Sequence, residues 1–221
     1  MTGSFRLRLR FAWIAALAAT PFICLASKDF SMPKVQPAAA YPAHDYHPKE
    51  LVTVALDPYD SPPKSNIFVV NYHDANLLPV LVVITNDSDQ PVELSGMKPE
   101  LVSGSGTKMS PETEDDIYRR ISHPQASGAR VPLPFPTHRV KGGLNTKEWN
   151  EIQSAQFKAK AVEPRSTQAG FLFFDISDVS DPLKDAHFYL TGVRDSSGNE
   201  LMYFEVPLNK VPGHSGQANS K

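Results

Sequence analysis

The amino-acid sequence predicts a mainly β protein, a sandwich of short strands with a helical, proline-rich insertion. Three observations carry this. Apolar or alternating runs of strand length recur along the chain, separated by turn formers at intervals of roughly 8–15 residues. No strand–helix–strand alternation is present, so a doubly wound parallel sheet is not expected. Both helical patterns fall together near the middle of the chain, on either side of a proline-rich stretch.

The chain opens with an export address. Arg6, Arg8 and Arg10 precede an apolar run from Phe11 to Ala26, broken only by Thr20 and Pro21. A basic start, a short apolar run and small residues around Cys24-Leu25-Ala26 are the layout of a secretory signal peptide, here residues 1–26. The run is short for a membrane-spanning helix, which needs about 20 apolar residues. A retained membrane anchor is the alternative, and lipidation at Cys24 is a further one. Ile23, directly before Cys24, is bulky for a lipidation signal.

Residues 27–49 contain Pro33, Pro37, Pro42 and Pro48 and are expected to be a flexible, proline-rich linker. The β domain is expected over residues 50–208. Leu51–Leu56 is β-branched and stops at Asp57-Pro58. Ser65–Tyr72 is either extended or a short helical turn. Val80–Thr85 is a continuous apolar run bounded by Pro79 and by Asn86-Asp87-Ser88-Asp89, a cluster of turn formers. Pro91-Val92-Glu93-Leu94 then alternates, as a hairpin partner of that run should. Glu100–Ser103 is a further short strand, ending at Gly104-Ser105-Gly106.

The insertion is expected over residues 107–157. Ser110-Pro111-Glu112 reads as a helix start, with a serine cap and proline in the first turn. Arg119 and Arg120 close that helix in keeping with its dipole. Asp115–Arg119 and Asp116–Arg120 are spaced for i,i+4 ion pairs. A loop with Pro132, Pro134, Pro136 and Gly142-Gly143 leads to a second helix from about Asn145 to Phe157, with Trp149, Ile152 and Ala155 at helical spacing. A loop of that length is often functional. Its Arg130, His138, Arg139 and Lys141 make it locally basic, a surface suited to an acidic partner.

Beyond the insertion, Gln168–Ile176 places Phe171 and Phe173 on one face and Leu172 and Phe174 on the other. It is therefore expected as a central strand, or as one whose second face meets a helix. Ala186–Val193 and Glu200–Pro207 alternate, and Arg194–Asn199 between them is a hairpin signal with Gly198 free to take positive φ. Residues 209–221 are expected to be a disordered tail.

Val80–Asn86 followed by Asp87–Leu94, and Glu163–Thr167 followed by Gly170–Phe174, resemble the hairpin and the proline turn of small exported bacterial immunoglobulin-like β-sandwich proteins. The resemblance covers about residues 50–105 and 160–208. It implies an immunoglobulin-like sandwich and no activity, because domains of this kind are mostly uncharacterised and fold does not imply function.

Composition narrows the chemistry. Hydrophobic residues are 41% and charged residues 21% of the 221, enough for a packed core. There are 20 prolines, about twice the ordinary ~5% share. One cysteine precludes an intrachain disulfide and a thiolate zinc cage. The formal charge is −2, and removal of residues 1–26, which hold three arginines and no acid, makes it −5. That balance argues against a nucleic-acid partner.

His44-Asp45-Tyr46-His47 and His73-Asp74 form the one cluster with metal-ligand chemistry. His44 and His47 would meet only on a helix or tight turn, which Pro42 and Pro48 disfavour, so these are read as solvated loop histidines. His123, His138 and His214 are isolated in loops, and His187 lies on the polar face of a strand. Trp149 is read as covering the sandwich. The Asn86-Asp87-Ser88 acceptor pattern needs no role beyond its turn. There is no G-x-S-x-G, P-loop or dinucleotide fingerprint. No residue is assigned as catalytic, cofactor-binding or metal-ligating, and no cofactor is expected. The expected function is an exported (periplasmic or extracellular), non-enzymatic binding or envelope-structural protein, with an unknown protein or envelope component as partner. Two alternatives stay open: a ligand- or metal-binding module using residues 107–157 and the histidines, and a membrane-tethered accessory subunit.

Overall fold

The computed structural model describes residues 29–122 and 143–211. The expected leader with Cys24, the basic proline-rich stretch Arg130–Lys141, His123 and the tail from residue 212 with His214 lie outside these residues. Among the described residues strand outweighs helix, 34% against 20%, and the ladders are antiparallel, so the protein is mainly β.

One four-stranded sheet contains β1 (Ala43–His47), β2 (Val52–Pro58), β3 (Leu77–Asn86) and β8 (Ser166–Asp175), in that order. The second has the order β10 (Phe204–Pro207), β9 (His187–Thr191), β5 (Lys98–Val102) and β6 (Lys108–Met109). A short pair, β4 (Val92–Glu93) with β7 (Ala161–Val162), makes a third sheet.

The two large sheets share one core. Val54 and Leu56 of β2, Val80, Val82 and Ile84 of β3, and Leu172 and Phe174 of β8 meet Leu101, Phe188, Leu190, Phe204 and Val206 of the second sheet. The opposite face of the first sheet is also covered. Leu81 and Val83, with Phe171 and Phe173, pack under Ile117 of α2 (Glu114–Ser122) and Ile152 and Ala155 of α3 (Thr146–Ala155). This explains why β3 is apolar from Leu77 to Ile84: all ten of its residues are buried, with alternate apolar side chains entering different cores. The helical stretch is thus a third layer of the fold rather than an appendage.

Several expectations are corrected. The flexible linker over residues 27–49 contains β1, whose full register with β2 runs from Ala43 opposite Leu56 to His47 opposite Val52. Pro42 and Pro48 sit just outside the strand, where a residue without an N–H takes nothing from the ladder. The partner of β3 is not the segment at Pro91, because β2 and β8 already occupy both of its edges, and β4 pairs with β7 instead. Gln168–Asp175 lies in β8, an edge strand rather than a central one. Its second face meets the helices, and its free edge is protected by Glu112 N–H donating to the Phe173 carbonyl and Phe157 N–H to that of Phe171. The tail boundary moves as well: Leu208 and Val211 are buried beside a 3₁₀ turn, Leu208–Lys210.

The helix starts show why short polar runs mislead. Pro111 bridges to Phe174 in extended backbone, and Thr113, not Ser110, caps α2 by accepting the Asp116 N–H at 3.2 Å. The two i,i+4 pairs are absent among the described contacts. Arg119 pairs with Asp116 at i,i+3, whereas Arg120 reaches Glu112 and Asp175 and so ties α2 to β8. By contrast, α3 opens with a complete capping box between Asn145 and Glu148. No helix among the described residues is long and apolar enough to cross a membrane.

Candidate functional site

A well-formed cleft among the described residues lies at one end of the first sheet, between the β2–β3 connection and the segment Ile176–Lys184 that follows β8. Its volume is about 980 Å³. Its apolar floor includes Tyr59, Phe68, Tyr72, Leu77 and Leu78, and its rim carries Asp60, Asn71, His73, Asp181 and Lys184.

Local sequence builds each wall. Pro58 ends β2, and the Tyr59 N–H is held by the Pro79 carbonyl at 2.9 Å. Ser61 then leads into α1 (Pro62–Ser65), a single turn with proline at its start. The 3₁₀ turn His73–Ala75 ends at Asn76, which takes φ 53°, a left-handed conformation that asparagine tolerates. The Asn76 carbonyl accepts the Ile176 N–H at 3.0 Å, which fixes one wall to the other.

Behind the floor the rings form a continuous cluster. Tyr59 stands edge-on to Phe171 with centroids 4.9 Å apart, and Phe68 meets Phe171 at 5.0 Å and Tyr72 at 5.1 Å. Phe30 lies flat on Phe68, its plane 3° away. Such edge-to-face packing fixes ring orientation. The Tyr59 hydroxyl pKa is pushed up to about 12, by burial and then by the Asp57 carboxylate, so this hydroxyl remains a hydrogen-bond donor at neutral pH. Burial and the nearby Glu151 carboxylate push the Tyr72 hydroxyl up as well.

Glu151 organises the floor from below. It is buried, and its carboxylate accepts the backbone N–H groups of Val69 and Val70, the second at 3.2 Å. Lys64 forms an ion pair with Asp57 and lies 5.7 Å from the Tyr59 ring centroid. The site is therefore preorganised from two sides.

The histidine cluster expected from sequence is dispersed. His44 Nδ1 contacts the Tyr41 carbonyl at 2.6 Å. His47 is in a strand, not a loop, and its ring lies on Phe204 with centroids 3.9 Å apart, 3.3 Å from the Asp45 carboxylate. His73 is on the cleft rim, apart from both. His187 does lie on the polar face of β9 and contacts Glu205 at 2.9 Å. Among the described residues no group of three or more His, Cys, Asp or Glu is placed to hold a metal ion. Trp149 packs edge-on against Tyr118 between the two helices, at 5.4 Å, instead of covering the sandwich core. Asn86 has its turn role and more: its side-chain amide donates to the carbonyls of Gln90, Val162 and Glu163, and its oxygen accepts the Ser88 N–H. The cleft is not legible in the sequence, because its walls are about a hundred residues apart and neither carries a motif.

No protein-family model matches the chain. No curated protein matches it. Solved structures resemble it only loosely. A protein of Bacillus subtilis subsp. subtilis str. 168 described provisionally as a lipoprotein (ycdA) is 14% identical with a TM-score of 0.35, over 76% of this chain and 39% of that one. This chain thus spans about two fifths of that protein's length. The Northeast Structural Genomics Consortium target SoR45 is 12% identical with a TM-score of 0.28, over 73% of this chain and 88% of that one. A functionally unknown protein of Listeria monocytogenes EGD-e is 12% identical with a TM-score of 0.30, over 71% and 73%.

Proposed function

We propose that this chain is an exported, non-enzymatic binding protein on an immunoglobulin-like sandwich, and that its ligand occupies the cleft between the β2–β3 connection and Ile176–Lys184. The observation that carries the reading is the form of the cleft: about 980 Å³, with an aromatic and aliphatic floor and a rim of both charge signs. Small-molecule sites are typically ~300–1,000 Å³, mostly apolar, with few polar groups to set orientation. Tyr59 and the rim residues supply those groups. The floor is held by buried hydrogen bonds, so little ordering entropy is lost on binding.

The test is a fragment screen of the purified protein by amide NMR. Saturable shifts confined to residues 59–73 and 176–184, abolished in Asn71→Trp, support the reading. Shifts that survive Asn71→Trp, or their absence across the library, overturn it. Turnover of generic ester, phosphate or glycan substrates by metal-free protein overturns the non-enzymatic part.

A further inference from the structure

The outer face of the second sheet carries a different arrangement, independent of the cleft. Alternation in β9 turns Phe188 and Leu190 into the core and leaves His187 and Tyr189 outside. In the neighbouring strand β10, Phe204 and Val206 are buried while Glu205 faces outward, and Tyr203, just before the strand, is exposed. The register sets Tyr189 opposite Glu205. One oxygen of that carboxylate, Oε1, accepts the Tyr189 hydroxyl at 3.0 Å and lies 2.9 Å from His187 Nδ1. A single carboxylate therefore fixes two rings, whose centroids are 6.3 Å apart and whose planes differ by 17°. Tyr203 stands beside them, 6.2 Å from Tyr189 with its plane tilted by 50°. Next to these rings Asp45 and His47 of β1 close one end of a shallow depression of about 380 Å³.

Tyr203 is 51% and Met202 71% exposed, so no core explains this apolar surface. An exposed apolar patch edged by polar groups marks a binding surface. Asp45 and Glu205 disfavour phosphate- or sulfate-bearing ligands by like-charge repulsion. The rings present negative π faces, which favour the C–H face of a flat ligand, and the carboxylates accept strong hydrogen bonds from hydroxyl groups. A ligand with C–H faces and hydroxyl edges, uncharged and made of repeating rings, is a neutral oligosaccharide. We infer that the face formed by His187, Tyr189, Tyr203 and Glu205 binds a neutral oligosaccharide, the rings stacking on sugar rings and Asp45 and Glu205 accepting hydroxyl hydrogens. Rings held in place before binding lose little rotamer freedom when the sugar arrives.

The experiment titrates the full-length protein with cellotetraose, chitotetraose and maltotetraose and follows amide resonances. At least one tetrasaccharide should shift residues 187–189 and 203–205 saturably. Tyr203→Ala should weaken that binding at least tenfold while leaving the thermal midpoint unchanged, because this side chain is exposed. Tyr189→Phe keeps the ring but releases it from Glu205, and should weaken binding several-fold. Asn71→Trp, in the cleft, should bind the sugar as before. No saturable shift with any of the three sugars, unaltered affinity in Tyr203→Ala, or shifts confined to the cleft would each overturn the inference. So would saturation of the same resonances by an oligolysine peptide and by none of the sugars, since the face would then serve a cationic partner.

Discussion

Glu151 accepts the backbone N–H of Val70 at 3.2 Å, although 81 positions separate them in the chain. The same carboxylate accepts the N–H of Val69, so one side chain of α3 satisfies two successive donors under the cleft. Glu151→Ala should therefore orphan two N–H groups in a closed environment and destabilise the fold by about 2–4 kcal/mol. Glu151→Gln keeps one acceptor and should lose less. Urea midpoints of the two variants check the order, and an alanine variant as stable as the parent would refute the role.

Asn86 makes a sharper chemical test. Its amide donates to three carbonyls and its oxygen accepts the N–H of Ser88. Asn86→Asp preserves shape but sets an acceptor against three carbonyl oxygens. The Asp variant should be at least as destabilised as Asn86→Ala, each by about 2–3 kcal/mol, read from chemical denaturation. If Asp were tolerated, the carbonyl contacts would not matter.

Gly170 sits in β8 where the chain after α3 passes closest. A Cβ there would lie 2.4 Å from the Phe157 Cα and 2.6 Å from its nitrogen. Backbone cannot rotate away as a side chain can, so Gly170→Ala should cost about 2–3 kcal/mol and lower the melting temperature by several degrees. Calorimetry measures it.

Acid should loosen the tie between α2 and β8. Burial alone would raise the Asp175 pKa, but hydrogen bonds from Ser177 and the Arg120 guanidinium outweigh it and hold the group below its ordinary 3.8. A depressed folded-state value means that the stabilisation is present above the unfolded value and is lost as pH falls through the folded one. Glu112, beside the same arginine, moves the other way: burial raises it, and Arg120 only partly offsets that. The stability gap between the parent and Asp175→Asn should be full at pH 6–7 and shrink below about pH 4. Denaturation midpoints across that range would show a constant gap if the carboxylate were not paired.

The sequence by itself determined the β class, the alternation of β9 and β10 and the two-faced apolarity of Gln168–Ile176, because strand faces repeat every second residue and burial follows locally. It also located α3 closely, since Trp149, Ile152 and Ala155 recur at helical spacing between about Asn145 and Phe157. It determined that one cysteine precludes a disulfide framework. Only the tertiary structure decided that the segment around Ala43–His47 is a sheet edge, that β4 belongs with β7, and that Arg120 serves Asp175 rather than Asp116. Each of these depends on a partner far away in the chain, for which local pattern holds no information. The same reason governs the sites. Glu151 meets Val70, the cleft joins Tyr59 to Lys184, and Glu205 aligns His187 with Tyr189, because packed sheets and helices place distant residues together, and those distances do not exist until the chain has folded.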